Sequence, residues 1–506
     1  MIKNRYQNHF LFFLFILLIG IFLWTLNCSP KKKSDIAAIL KTTVDKDTLI
    51  SQLEKQIPDI MQKAMIPGVS IAVIRDGELL WTTGFGVKST ETNEPVTDET
   101  VYEAASFSKP VYAYAVMKLV ESGELDLDKP LIEYVSDVYI EKNYLGRKID
   151  DERFRKITAR MVMSHTPGFP NWRGRDSLKI NFEPGEKFSY SGEGFGYLQK
   201  VIEKISGLPL NDFMNKEVFD PLGMTYSSYV WQESYDKNTS YPHNMMQEVT
   251  RKGKPKRGHA AASLHTTAAD FARYIIAVMN HTGLQQGTID SMLTPQIVVD
   301  PEETKDIVWG LGVGLQQTPH GISYWHWGDN MTFRCFFVAF PQQKIGVVYF
   351  TNSFFGLAVR KQIVELAIGG EHPVLNSNLL IEYGDVDSPG MEFTRTLVND
   401  GVNAAVEKYY QMRDTLEAKE IIEEYAMNSI GYVFMRKKQY QDAIKIFKLN
   451  VEAYPDAYNV YDSLGEAYME NGDKELAIKY YEKSIELNPD NENGKKMLEK
   501  LKIGDV

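Results

Sequence analysis

The sequence predicts an α/β (α+β) domain followed by an all-α repeat domain. Between residues 100 and 370, helical and strand patterns mix without strict alternation, which argues against a doubly wound parallel sheet. Beyond residue 395 the chain is helical and highly charged, and it repeats with a period of 34 residues. The 506 residues exceed a typical single domain, and 43% apolar with 24% charged residues is typical of globular proteins.

The first 28 residues are interpreted as an export signal or a membrane anchor. Two basic residues precede the apolar run from Phe10 to Trp24, whose 15 residues suit a signal peptide and are few for a span of about 20. Cys28 follows, at a place that resembles the lipidation site of bacterial lipoproteins, although Asn27 stands where a small residue is usual. The expected location is therefore the bacterial cell envelope, with a tether at 29–48 and the enzyme domain on the exported side. An uncleaved anchor and plain secretion are the alternatives.

A helix and a β-hairpin are predicted next. Apolar residues recur at helical spacing over 35–65, and Pro58 is expected to kink that helix or split it. A strand is predicted at 69–74. Asp76-Gly77 is a strong hairpin signal, and 78–82 forms the returning strand.

Two further strands, 336–340 and 345–350, are predicted as buried near the end of the first domain. Cys335 lies beside the first of them and is expected in the core. With only Cys28 besides, the chain can build neither a disulfide framework nor a cysteine-rich zinc site. The net charge of −11 argues against a nucleic-acid partner.

The C-terminal residues 396–506 are predicted to form tetratricopeptide-like helix pairs, after a linker at 371–395. Small residues let paired helices approach, aromatic residues fill the gap, and proline ends the second helix. The sequence shows Gly431, Ala443, Phe447 and Pro455 recurring 34 residues later as Gly465, Ala477, Tyr481 and Pro489. Residues 401–410 are interpreted as the lone second helix of an earlier, degraded repeat. Such a stack either binds a protein partner or braces the first domain.

Motifs for metals and nucleotides are missing from the sequence. There is no H-E-x-x-H, no G-x-S-x-G, and the glycines at 310–314 have the wrong spacing for a dinucleotide loop. No metal or organic cofactor is therefore expected.

An S-x-x-K motif at Ser106–Lys109 is the first candidate for catalysis. It follows a strand-like segment and opens an apolar helix at 110–120, where unpaired N–H groups favour developing negative charge. One helical turn places the lysine near the serine hydroxyl, where a desolvated amine could take its proton. The alternative is that the serine only caps the helix. The S-x-x-K pattern also occurs at Ser29–Lys32 and Ser234–Lys237, so the neighbouring strand and helix are what single out Ser106–Lys109.

Two later motifs favour the catalytic alternative. Tyr190 lies in the stretch 188–195, which follows Pro184-Gly185 and precedes a predicted helix at 198–205. His326 opens a His-Trp-Gly motif before the predicted buried strands. One tyrosine or one histidine alone is more often structural, but the order and spacing of the three motifs make coincidence improbable.

With these motifs, residues 49–370 resemble the serine β-lactamase and penicillin-binding protein superfamily, on the side of class C β-lactamases, D-alanyl-D-alanine carboxypeptidases and esterases. The stretches 163–170 and 266–273 also resemble family motifs. They are expected to be scaffold, so His165 and His259 are not proposed as catalytic. The resemblance implies an antiparallel sheet flanked by helices.

The resemblance also implies site roles. Ser106 would be the nucleophile of an acyl-enzyme, Lys109 would help to deprotonate it, and Tyr190 would move protons as a phenolate or a hydrogen-bond relay. His326 would bind a substrate carboxylate or hydrogen-bond to Tyr190. The N–H groups of Ser106 and Asp329 would hold the oxyanion.

Departures from the family pattern bear on the substrate. Gly192 stands where the family has an asparagine that contacts the acyl side chain, and Trp327 in the His-Trp-Gly328 motif could narrow the site. Both residues and Gly328 are expected to border the substrate. The predicted activity is a serine hydrolase acting on a D-amino-acid peptide, a small ester or an amide. The alternatives are a true β-lactamase and a catalytically weak scaffold.

Overall fold

The computed structural model describes residues 39–174 and 176–503, and an antiparallel sheet forms the centre of its first domain. Within these ranges, eight strands pair in the order β2-β1-β10-β9-β8-β7-β6-β5, and β3 pairs with β4 separately. The bounds are β1 (Gly68–Arg75), β2 (Glu78–Gly86), β3 (Tyr102–Ala105), β4 (Leu264–Thr266), β5 (Ile297–Asp300), β6 (Thr304–Trp309), β7 (Gly314–Thr318), β8 (Gly321–Asp329), β9 (Arg334–Phe340) and β10 (Ile345–Thr351).

Helices cover both faces of this sheet and form the C-terminal region. Those of the first domain are α1 (Lys46–Lys63), α2 (Ser108–Glu121), α3 (Asp137–Ile140), α4 (Ala159–Met163), α5 (Gly192–Ser206), α6 (Leu210–Met214), α7 (Asp220–Leu222), α8 (Ala268–Asn280), α9 (Gln286–Met292) and α10 (Arg360–Ala367). Later helices are α11 (Asn378–Ile381), α12 (Pro389–Asp400), α13 (Val402–Arg413), α14 (Ala418–Ile421), α15 (Glu424–Arg436), α16 (Tyr440–Ala453), α17 (Tyr458–Glu470), α18 (Lys474–Leu487) and α19 (Glu492–Ile503).

The sheet separates two apolar layers. Every residue of β9 is buried, and apart from Arg334, which is paired with Asp329, its alternating side chains are apolar on both faces. Phe337 packs in the layer that contains α2 and α8, whereas Phe336 and Val338 pack in the layer that contains α1 and α10. This arrangement confirms the predicted α+β domain with an antiparallel sheet flanked by helices.

Local signals in the sequence located these elements well. The Asp76-Gly77 turn joins β1 and β2, and β9 and β10 enclose the two segments predicted as buried strands. Cys335 is buried as a free thiol, as expected. Pro58 does not split the helix, since α1 runs through it as one element.

The predicted linker at 371–395 is folded. Val374, Leu375 and Leu380 are buried in the apolar layer that contains α1 and α10, and α12 begins inside this stretch rather than after it. The reason is local: the Ser388 hydroxyl accepts a hydrogen bond from the Met391 N–H, and proline at the first helical position has its φ already set.

The helices beyond residue 400 stack as antiparallel pairs. Gly431 and Gly465 have the predicted function, because a Cβ at these positions would lie 2.2 Å and 3.2 Å from the rings of Phe447 and Tyr481. The interpretation of 401–410 as a lone helix is wrong, since α13 packs against α12.

This helical region packs directly on the first domain. Met65, Met245, Phe355 and Ala358 of the first domain belong to the same apolar cluster as the helices from α12 onwards. The described part of the chain has no helix that is long and apolar enough to span a membrane. The N-terminal prediction, including Cys28, lies outside the described residues.

Candidate active site

Ser106 lies in the turn between β3 and α2. The preceding residue, Ala105, has a left-handed φ of +46°, which is unfavourable for a residue with a Cβ and indicates a backbone held by its surroundings. Ser108, rather than Ser106, secures the turn: its hydroxyl donates to the Ala105 carbonyl (2.6 Å) and accepts from the Leu264 N–H (3.0 Å). Helix capping therefore does not account for the Ser106 hydroxyl.

The buried Lys109 amine contacts the Ser106 hydroxyl. Its Nζ lies 3.0 Å from the Ser106 Oγ and donates to the Ala261 carbonyl at 2.9 Å. It also lies 4.7 Å from the centre of the Tyr190 ring. Lys109 is fully buried, and burial lowers the pKa of the ammonium to about 7. A substantial fraction of the amine is therefore neutral near pH 7 and able to accept a proton.

Tyr190 precedes α5, and its ring lies against Trp327 and His165, with centroids 4.9 Å and 4.3 Å away. Burial raises the pKa of the phenol, and the neighbouring Ser106 side chain opposes this rise. The Tyr190 hydroxyl makes no hydrogen bond of good geometry with any described residue. Tyr190 is therefore a neutral phenol at pH 7, with its buried hydroxyl close to the Ser106 side chain.

His326 on β8 is buried and neutral. Burial, followed by the charge of Lys109, lowers its pKa to about 3. Its Nδ1 lies 2.6 Å from the Trp327 carbonyl oxygen, which can only accept, so Nδ1 carries the proton. The Nε2 atom is then a lone-pair acceptor, and it has no partner among the described residues.

The end of β8 approaches the nucleophile turn closely at Gly328. A Cβ at this position would lie 2.5 Å from the Ala104 carbonyl oxygen and 2.4 Å from the Cys335 Sγ, so only glycine fits. This contact places Gly328, the residue before Asp329, against the end of β3. The role of the Asp329 N–H at the oxyanion stays a prediction. The Asp329 carboxylate forms an ion pair with Arg334 (3.0 Å) and accepts from the Met331 N–H.

A tryptophan occupies the space beside Gly192. A Cβ at Gly192 would lie 2.7 Å from the indole ring of Trp172, a residue that is 48% exposed. The position of the family's asparagine is thus covered by an aromatic surface. Sequence reasoning missed Trp172, since only the fold brings the two residues together.

His165 is a second residue that the sequence interpretation placed in the scaffold but that borders the site. Its carbonyl oxygen accepts from the Ser189 N–H (2.8 Å), and its Nδ1 accepts from the Ser191 N–H (3.0 Å). These bonds fix the backbone on both sides of Tyr190. Burial lowers the pKa of His165, so the ring is neutral with its proton on Nε2, which has no described partner.

Replacing His165 with phenylalanine is expected to lower kcat about 10- to 100-fold with a small effect on KM, because Tyr190 loses its position while substrate contacts remain. The buried Ser191 N–H would also lose its acceptor, which costs about 1–3 kcal/mol in the free energy of unfolding. His165→Asn should recover much of both, since asparagine supplies an acceptor and tolerates the left-handed φ of +57°. His281→Phe, at another left-handed histidine, is the control; equal losses there, or no recovery by asparagine, would contradict this role.

Of the four residues predicted as catalytic, Lys109 contacts both Ser106 and the Tyr190 ring, and the His326 ring centroid lies 6.0 Å from that of Tyr190. Among the described residues, no group of three or more histidine, cysteine, aspartate or glutamate side chains is placed to hold a metal ion. The side chains named above supply a hydroxyl, an amine of low pKa, a phenol and a neutral imidazole.

Comparison with known proteins gives two regions of similarity. Residues 53–368 match the family model described as Beta-lactamase, and residues 458–491 match that described as Tetratricopeptide repeat. Protein flp of Staphylococcus aureus (strain N315) is 22% identical over 322 residues, which are 60% of this chain and 62% of that protein. Esterase EstB of Burkholderia gladioli is 24% identical over 220 residues, 38% of this chain and 54% of that protein. The chain thus spans less than two thirds of the length of these relatives.

Solved structures agree with the fold. The D-alanine carboxypeptidase AmpC from Burkholderia cenocepacia superposes with a TM-score of 0.54 at 20% identity, covering 64% of this chain and 98% of that chain. The octameric penicillin-binding protein homologue from Pyrococcus abyssi gives 0.52 at 24% identity, covering 69% and 81%. Since the family model matches more than half of the 506 residues, the chain belongs to the Beta-lactamase family of serine hydrolases and carries a C-terminal tetratricopeptide repeat.

Proposed function

We propose that the chain hydrolyses an ester or amide substrate through an acyl-enzyme on Ser106. The observation that carries this proposal is the Lys109 amine, 3.0 Å from the Ser106 hydroxyl and with its pKa lowered by burial to about 7. A lysine whose only task was structural would gain from a carboxylate partner. An amine of low pKa beside a serine is instead the arrangement that activates a nucleophile.

Acylation follows from this geometry. The neutral Lys109 amine accepts the Ser106 hydroxyl proton while the Oγ attacks the substrate carbonyl carbon. The N–H groups of Ser106 and Asp329 stabilise the resulting oxyanion, in a place where Gly328 permits close approach. When the carbon–leaving group bond breaks, the proton passes from Lys109 to the leaving group. Water then attacks the ester carbonyl while Lys109 accepts one of its protons. As the carbon–Oγ bond breaks, that proton passes to the Ser106 Oγ and the carboxylic acid leaves.

The protonation states of Tyr190 and His326 define their roles. Because burial raises the Tyr190 pKa, the phenol serves as a hydrogen-bond relay between Lys109 and the leaving group rather than as a phenolate. His326 presents a neutral Nε2 acceptor, so it suits a hydrogen bond from the Tyr190 hydroxyl or a water. A neutral acceptor has no charge with which to attract a substrate carboxylate.

Two substrate classes fit the site better than penicillins. The indole of Trp172 covers Gly192, so the polar contact to a β-lactam side chain is replaced by an aromatic surface. The proteins similar to this chain include an esterase and a D-alanine carboxypeptidase. We therefore favour small esters and peptides ending in D-alanine over β-lactam antibiotics.

The proposed location is the exported side of a bacterial envelope membrane. The apolar run at 10–24 followed by Cys28 supports a lipid-modified or otherwise tethered N-terminus. In that place the enzyme would meet envelope peptides. The repeat region supports a protein partner as well, since a tetratricopeptide stack offers an extended binding surface.

A substrate comparison tests the proposal. The full chain is assayed with a short p-nitrophenyl ester, a peptide ending in D-Ala-D-Ala and a chromogenic cephalosporin. We expect kcat/KM for the ester or the peptide to exceed that for the cephalosporin by about tenfold or more. Fastest turnover of the cephalosporin would instead indicate a true β-lactamase. Turnover of none of the three would favour the scaffold alternative.

A further inference from the structure

The chain beyond residue 368 brings a side chain, the phenol of Tyr383, to the surroundings of the candidate active site. The Beta-lactamase match ends at residue 368, so Tyr383 belongs to a part of the chain that this match does not include. Its hydroxyl accepts a hydrogen bond from the Trp327 Nε1 at 3.2 Å. Trp327 follows His326 directly at the end of β8. A residue outside the matched domain therefore holds a residue of one of that domain's motifs.

The Trp327 indole packs on Tyr190. Their ring centroids are 4.9 Å apart with 34° between the planes, and Trp327 is 8% exposed. Trp309 and Trp325 pack against the same indole, with centroids 6.3 Å and 5.9 Å away. Among the described residues, the Nε1–H groups of these two tryptophans have no hydrogen-bond partner, whereas that of Trp327 donates to Tyr383. Trp327 is thus the one of the three indoles that a hydrogen bond orients.

Tyr383 is itself held in place from both sides. The carbonyl oxygen of the next residue, Gly384, accepts a hydrogen bond from the guanidinium of the buried Arg360 at 2.7 Å. The Tyr383 N–H donates to the carbonyl of Leu380, whose side chain is buried in the apolar layer that contains α1 and α10. Burial raises the pKa of Tyr383, so its hydroxyl is neutral at pH 7. The phenol is therefore a fixed, neutral acceptor for the indole N–H.

The ring of Tyr383 makes a separate contact with Arg334. The Arg334 guanidinium lies 4.8 Å from the centre of this ring and pairs with the Asp329 carboxylate at 3.0 Å. Phenylalanine at position 383 would keep an aromatic face for the guanidinium but would lose the acceptor for Trp327. Removal of the hydroxyl alone therefore separates the two contacts.

The position of the indole bears on catalysis through Tyr190. The Tyr190 ring packs against the rings of Trp327 and His165, and the proposed mechanism requires its hydroxyl to pass a proton to the leaving group. A misplacement of about 1 Å can cost about 100-fold in rate. A hydrogen bond that holds the indole therefore helps to hold the phenol in its working position.

We propose that Tyr383 is a positioning residue for proton transfer by Tyr190 and that it acts through the Trp327 indole. The inference rests on the proposed hydrolase function and adds to it a residue from outside the matched domain. It also gives the stretch 371–395 a role in catalysis, because the folding of this stretch onto the sheet carries Tyr383 to Trp327.

Two esters of the same acid test this role in the full chain, one with a p-nitrophenyl and one with an ethyl leaving group. p-Nitrophenolate leaves without a proton, whereas ethoxide needs one, so the ethyl ester depends more strongly on the relay. In Tyr383→Phe, kcat/KM for the ethyl ester should fall about fivefold or more, and that for the p-nitrophenyl ester less than about twofold. Tyr139→Phe is the control and should change neither value, although it loses a hydroxyl bond of the same length, 3.2 Å, to the Lys200 carbonyl.

A double variant shows whether the effect passes through the indole. Trp327→Phe removes the donor, so adding Tyr383→Phe to it should cause no further loss with the ethyl ester. Three results would overturn the inference and leave the hydrolase intact: an equal loss with both esters in Tyr383→Phe, no loss with either, or a full further loss in the Trp327→Phe background.

Hydrolysis of neither ester by the wild-type chain would count against the proposed function instead. In that case, or if only the p-nitrophenyl ester reacts, the chain labelled with 3-fluorotyrosine decides the positioning role by its fluorine NMR spectrum. The Tyr190 signal, identified by its loss in Tyr190→Phe, should shift in Tyr383→Phe and stay in place in Tyr139→Phe. An unshifted Tyr190 signal in Tyr383→Phe would overturn the positioning role.

Discussion

The Ser106→Ala variant is expected to lose ester hydrolysis by about 10⁴-fold or more in kcat. Without the Oγ there is no atom to form the acyl-enzyme, and the remaining oxyanion donors give only residual catalysis. Stability should change little, because the hydrogen bonds that hold the turn belong to Ser108 rather than Ser106. Steady-state kinetics and a melting curve on the same preparation measure both effects.

Ser234→Ala is the matched control, because Ser234 also begins an S-x-x-K sequence but is exposed on the surface. Its kinetics should equal those of the wild-type chain. If Ser106→Ala retained turnover within a few-fold of wild type, another nucleophile or direct attack by water would have to replace Ser106 in the mechanism.

Replacing Lys109 with methionine should lower kcat/KM by about 10³-fold, since the general base is lost. Methionine has a similar length and suits the apolar surroundings. The folded-state pKa of Lys109, about 7, lies below the usual 10.5. Burial of Lys109 therefore destabilises the fold at every pH at which this lysine is protonated in the unfolded chain. Removing the amine should therefore leave the melting temperature at pH 7 unchanged or raise it. A loss of activity in this variant then cannot be attributed to unfolding.

The pH dependence provides a second readout for Lys109. The neutral amine is the active form, so kcat/KM of the wild-type chain should rise with pH and level off above about 7. Below that value it should fall about tenfold per pH unit. In Lys109→Met this limb should disappear, whereas Lys237→Met, at an exposed lysine, should keep it. A wild-type profile without an inflection between pH 6 and 8 would contradict the assigned role.

Local sequence patterns predicted the parts of the fold that depend on near neighbours. The Asp76-Gly77 turn specifies a hairpin, and Ser106 and Lys109 are spaced by one helical turn. Both predictions therefore rest on sequence patterns only a few residues long. The glycines at 431 and 465 also act locally, on rings 16 residues further along each helix pair. Resemblance to a family then indicated that the distant Tyr190 and His326 would join them.

Features that depend on tertiary contacts could not be predicted in the same way. Trp172 lies over Gly192 because of how two loops fold, and Tyr383 reaches Trp327 across 56 residues of chain. The charge states also depend on tertiary contacts, because burial by the surrounding side chains keeps Tyr190 and His326 neutral. The stretch 371–395 was predicted as a linker because its composition is mostly polar. A few of its apolar side chains nevertheless pack against the sheet, and this burial depends on tertiary contacts.

The most direct test of the central claim is intact-mass spectrometry of the full chain, quenched in acid shortly after mixing with an activated acyl ester and followed by peptide mapping. The mechanism predicts one added acyl group, located on the peptide that contains Ser106 and lost again as the substrate is consumed. The same treatment of Ser106→Ala should add no mass. Ester consumption without an adduct at any quench time, or an equal adduct in Ser106→Ala, would contradict the assignment of Ser106 as the nucleophile.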